Sequence, residues 1–145
     1  MSALAVARYV NSAGTKGDGS AYSGTTPFQG YYPTVRKASG LLTVTTNSPG
    51  AAGASSQYAI NAPGEWLIIA SCLFASGAAA VKICRNGITI PTNQMVGSGS
   101  VANPVAVVQR TFEVGDTILT QITPNGVMTP GDDLNFLSFA YLGPL

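Results

Sequence analysis

The chain has 145 residues, enough for one domain with a substantial core, yet only 9% of them are charged, against roughly 25% in an average soluble protein. Its net charge of +1 makes no electrostatic case for nucleic acid or an anionic membrane, and no apolar run approaches the roughly 20 residues a helix needs to span a bilayer. The apolar share of 46% is ordinary, so Gly, Ser, Thr, Ala and Asn replace charge; such a domain is expected to bury surface against other copies or partners.

The first ten residues, MSALAVARYV, lack a basic leading segment and have too short an apolar run for a secretory signal, so synthesis in a cytosol is expected. Leu4 to Val10 is a short strand candidate. The stretch that follows is rich in Gly, Ser and Thr, with Phe28, Tyr31 and Tyr32 scattered through it, and has too little apolar material for a core of its own. Two readings stay open. Residues 1–40 are an extended arm that orders against a neighbour through Phe28, Tyr31 and Tyr32, or they are an ordinary long loop or loose tail. Residues 41–145 are then the main domain.

From Leu41 strands and turns become regular: LLTVTT, the breaker NSPGAAGASS, QYAIN, and a Pro63-Gly64 turn. The stretch Glu65–Ile90 organises the rest. EWLIIASCLFA reads as a buried strand, and after the break SGAAA the segment VKICR alternates as a strand of period two. Asn86-Gly87 supplies two positive-φ positions for a tight hairpin turn. Two consecutive hairpins are therefore expected, the first placing Cys72 nearly opposite Cys84; a cytosolic origin favours two reduced thiols over a disulfide. Further strands are expected around Met95-Val96, over PVAVVQRTFEV, over TILTQIT after Gly115-Asp116, and over LNFLSFAYL after an Asn125-Gly126 turn and a PGDD loop. Eight to ten strands without a helix, with turns at this spacing, indicate an all-β sandwich or barrel.

The alternation also assigns faces. In the central strand Leu67, Ile69 and Ser71 share one side, while Trp66, Ile68, Ala70 and Cys72 share the other. In the last strand Phe136, Ser138, Ala140 and Leu142 lie opposite Leu137, Phe139 and Tyr141. Both faces are apolar in each, whereas a solvated antiparallel sheet shows one polar face, so a sheet-face oligomer is expected.

The order APGEWLIIAS, VKICRNG, RTFEVGDTILTQI and NFLSFAYL resembles the jelly roll of complement globular heads and tumour-necrosis-factor proteins, over roughly Tyr58 to Leu142. The resemblance implies a two-sheet jelly roll assembled as a homotrimer through aromatic residues, and makes Trp66, Phe74, Phe136, Phe139 and Tyr141 candidates for core or interface. The sequence departs from that family in having no collagen-like stalk and no counterpart to its first 40 residues. The same fold recurs in small virion proteins of phages.

Without histidine, Ser-His-Asp, Cys-His and histidine–metal chemistry are excluded. The spacing of the six acidic residues does not suggest a paired-carboxylate site. Asp116, Asp132 and Asp133 are weak candidates for calcium, and KGDG at 16–19 has no phosphate-loop context. Arg85 is read as a solvated hairpin residue. The resulting expectation is a structural virion protein with no enzymatic activity and no cofactor. It is a homotrimeric capsid decoration or cement protein, held to a major capsid or other virion protein by its arm and sheet surfaces. The alternative is a receptor- or glycan-binding head of a fibre or spike, with Tyr22, Tyr31 and Tyr32 as loose sugar-site candidates.

Overall fold

Short strands that are apolar on at least one face, cut by Gly, Pro and Asn turns, bury their apolar side by packing two sheets face to face. The computed structural model describes residues 5–23, 26–75, 79–90, 93–95, 102–124 and 126–145, and among them the chain forms twelve strands and no helix. One sheet runs β3 (Thr34–Lys37), β1 (Ala5–Val10), β12 (Phe136–Gly143), β6 (Gly64–Ser71), β10 (Val105–Phe112) and β9 (Asn93–Met95). The second runs β4 (Leu42–Asn47), β5 (Ser55–Ile60), β11 (Thr117–Thr123), β7 (Ala80–Arg85) and β8 (Ile88–Thr89), with β2 (Phe28–Gln29) also paired to β11. Every pairing between these strands is antiparallel. The expected all-β jelly-roll sandwich is the fold of this chain.

The core lies between the sheets. From the first come Tyr9, Trp66, Ile68, Phe112, Leu137 and Phe139; from the second come Tyr58, Ile60, Ile83, Ile118 and Ile122, all at most 2% exposed. Tyr58 ties the layers together, its ring centroid 4.7 Å from Tyr9 and 5.1 Å from Phe139. Burying each of these side chains stabilises the fold by about 1.5–3 kcal/mol relative to exposure.

The central strand differs from its sequence reading. β6 ends at Ser71, where Ser71 Oγ donates to Leu134 O at 3.1 Å and the Leu73 amide donates to Asn135 Oδ1 at 3.0 Å. Phe74 then bridges Ala102 and Met128, and the chain crosses to the other layer. β6 and β7 therefore belong to different sheets and do not form a hairpin. Instead β6 sits between β12 and β10, and Cys84 of β7 pairs with Leu119 of β11. Both cysteines are free thiols, and Cys72 is in the core. The second expected hairpin forms, with Asn86 at φ 51° and Gly87 at φ 79°.

The boundary expected at residue 40 falls inside the fold. β1 lies within the first sheet, paired from Ala5↔Tyr141 to Val10↔Phe136. Tyr22 and Tyr32 are core residues at 4% exposure, and Phe28 packs against that core, stacked on Tyr22 at 4.2 Å. β2 takes up the edge of β11 where β5 leaves it: β5 pairs at Thr117 and Ile118, and β2 at Gln121 and Ile122. A segment poor in apolar residues thus borrows the sandwich's core. Leu4, Val96 and Asn125, assigned to a strand end, an edge strand and a turn in the sequence reading, lie outside the described residues.

Candidate functional site

Two surface features stand out, an apolar sheet face and a cleft at the rim. The face is the outer side of the first sheet. Because Trp66, Ile68 and Ala70 of β6 point inward, Leu67 and Ile69 point outward, half-buried. The register sets Ala140 of β12 beside Leu67, with Val6 of β1 on its far side, and Val107 of β10 beside Ile69. Phe136 and Val105 flank Ser71 in the next row. The outer side of the second sheet is more polar, with Thr43, Thr45, Gln57, Thr117, Gln121 and Lys82 around Ala59, Cys84 and Leu119. The outer face of the first sheet is thus the more apolar of the two.

Arg8 crosses the apolar face. Its guanidinium lies 4.1 Å from the Phe136 ring centroid, donates to Asp132 O at 3.1 Å and pairs with Asp133 at 3.3 Å. At the other end Gln109 Nε2 donates to Glu65 Oε1 at 2.9 Å.

The aromatic residues singled out from the sequence are divided by this arrangement. Trp66, Phe74 and Phe139 are buried in the core. Tyr141 packs on Trp66 at 5.0 Å and donates its hydroxyl to Pro63 O at 2.9 Å. Phe136 is the one of the five on the outer face. Tyr31 is half-buried, and Tyr32 is committed to the interior, its hydroxyl 2.8 Å from Thr120 Oγ1. The residues missed are Val6, Val105 and Val107. The alternation of AVARYV and PVAVVQ carried that signal, but only the register revealed that Val107 adjoins Ile69, that Val105 adjoins Ser71 and that Val6 shares the row of Leu67 across Ala140.

The cleft, of about 560 Å³, is lined among the described residues by Arg85, Asn86, Ile88, Thr89, Ile90 and Arg110. Asp116 holds its wall together. Its carboxylate accepts the Glu113 amide at 2.8 Å and the Asn86 side-chain amide at 2.9 Å, and pairs with Arg85 at 2.5 Å. Burial pushes the Asp116 pKa up, but these donors outweigh it and hold the carboxyl below the usual aspartate range. Arg85 also reaches 5.2 Å from the Phe112 ring centroid, so it is a built-in member of the wall rather than a solvated hairpin residue. Ile88 is 74% exposed at the mouth.

The acidic residues weighed for calcium are not brought together as ligands. Asp116 is paired with Arg85, Asp132 with Arg36 and Asp133 with Arg8. Among the described residues no three carboxylate, thiol or imidazole side chains gather in a metal-binding group.

No family model matches the chain, and no curated protein matches it by sequence. Solved structures are similar in fold. Murine APRIL at pH 8.5 matches with a TM-score of 0.66 at 14% identity, over 97% of this chain and 100% of that one. Eiger TNF from S. frugiperda matches at 0.52 with 8% identity, over 98% and 94% of the two chains. Pika GITRL matches at 0.51 with 14% identity, over 97% of each. At these identities the likeness is one of fold, and the fold is the tumour-necrosis-factor-type jelly roll.

Proposed function

We propose that this protein is a homotrimeric binding head that recognises a receptor or glycan without catalysis. The observation that carries the reading is the apolar outer face of the first sheet around Leu67, Ile69, Val107 and Phe136, set against a more polar outer face on the second sheet. Packing that face against neighbouring copies removes it from water, and a trimer is the assembly implied by the jelly-roll resemblance. The rim cleft, with Ile88 and two arginines, is the candidate contact with the bound molecule. We place the head in a virion, on a fibre or spike, on the strength of its charge-poor, Gly/Ser/Thr-rich composition.

The decoration reading uses the same trimer but requires an arm free to reach shell subunits. β1, β2 and β3 are engaged in the sheets and Tyr32 in the core, which favours the head.

Light scattering after size exclusion tests the assembly. Leu67→Lys and Ile69→Lys are expected to reduce the mass attributable to the trimer to that of one chain while the far-UV spectrum stays unchanged. The same mass in the parent and both folded variants overturns the interface. Binding to host surfaces and glycan arrays, compared with binding to empty shells, tests the partner. Ile88→Glu is expected to weaken surface or glycan binding about tenfold without changing the mass. Binding to shells alone would restore the decoration reading.

A further inference from the structure

The exposed edges of the two sheets are built differently. β3 carries Arg36 and Lys37 and pairs with β1 through a register shift. β8 is two residues long and β9 three. Charge, irregularity and shortness are the usual means by which a sheet discourages addition of another strand. β4 has none of them. Its sequence LTVTTN is six residues long, uncharged and free of proline, and its ladder with β5 runs without a break from Leu42↔Ile60 to Asn47↔Ser55. Among the described residues no strand lies beyond it. Val44 pairs with the core residue Tyr58, so it belongs to the inner layer, yet it is 39% exposed. The inner layer ends there with its side open.

We propose that β4 is a second self-association site, at which the β4 strands of two copies pair antiparallel about a two-fold axis and join their second sheets. Residues directly opposite in such a ladder share a face. A register centred on Val44 therefore sets Val44 against Val44 and Thr43 against Thr45 on either side, with both inner layers on the same side of the joined sheet. No like charges meet, the threonines form cross-strand pairs, and each valine covers the other. This self-complementarity favours a second copy over an unrelated strand as the occupant. The site uses an edge of the second sheet and leaves the face of the first sheet free, so it is independent of the trimer.

The test is light scattering of the full chain at its highest soluble concentration, alongside two variants. Val44→Lys sets two ammonium groups against each other at the axis. Thr43→Lys/Thr45→Lys does the same from the solvent side, at the expense of the surface contact between Thr43 Oγ1 and Asn61 Nδ2 at 2.9 Å. The parent is expected to have at least twice the mass of either variant, each variant keeping the parent's far-UV spectrum and a cooperative melt. The variants' own mass reads the first-sheet association separately, as three chains if the trimer stands and one if it does not. Equal mass for the parent and a folded variant overturns the edge pairing. Should Val44→Lys fail to fold, the double variant decides alone.

Discussion

Asp116 shows how a turn carboxylate becomes structural. Its partners hold the carboxyl below the usual aspartate range, so it ionises more readily folded than unfolded. That stability is present above the ordinary aspartate pKa and lost as pH falls through the folded value, below about pH 4. Asp116→Asn is expected to lower stability at pH 7 by about 1–3 kcal/mol and to remove this part of the acid loss. Urea titrations at pH 7 and pH 3 check both, and a variant as acid-sensitive as the parent would contradict the assignment. Tyr58 presents the opposite case. Its hydroxyl is buried with no well-formed hydrogen bond among the described residues, Ser56 engaging it only weakly, while its ring joins the two layers. Leaving a buried hydroxyl unpaired costs about 1–3 kcal/mol. Tyr58→Phe keeps the ring and is expected to be neutral or to raise stability by about 1 kcal/mol. A clear loss on denaturation would show that the hydroxyl has a partner.

At the scale of elements, the β7–β8 turn anchors the rim cleft. Asn86 and Gly87 both adopt positive φ, and Asn86 Oδ1 accepts the Thr117 amide at 2.9 Å. A Cβ at Gly87 would meet nothing within 4 Å, so substitution there strains only the backbone. Gly87→Val is expected to cost about 1–2 kcal/mol, and Gly87→Asn less than half of that, because asparagine tolerates the left-handed region. Equal costs in denaturant melts would mean that something other than backbone conformation sets the turn. The same sequence logic that finds this turn misplaces β6 and β7 as a hairpin. Alternation reports which side chains share a face, but a strand leaving one layer for the other keeps the same alternation.

For the whole molecule, the proposed trimer links stability to concentration. If only the assembled form covers the first sheet's outer face, mass action raises the melting temperature as protein concentration rises. The parent is expected to show that rise, and Leu67→Lys a flatter dependence. A parent whose melting temperature does not respond to concentration would argue against coupled assembly at this face.

The sequence by itself determined the all-β class, most strand positions, the Asn86-Gly87 turn and the two-faced apolar character of the central and last strands, because periodicity and turn chemistry are local. Trp66 and Phe136 could both be read as apolar strand residues, but not which of them faced the core. Only the tertiary structure decided that, together with the separation of Cys72 from Cys84 by strand pairing, the entry of Tyr22 and Tyr32 into the core, and the gathering of Arg85, Asn86 and Asp116 at one rim. Each of these depends on which strands become neighbours, a choice made by packing two layers over one core across long sequence separations. No local window of the chain contains it.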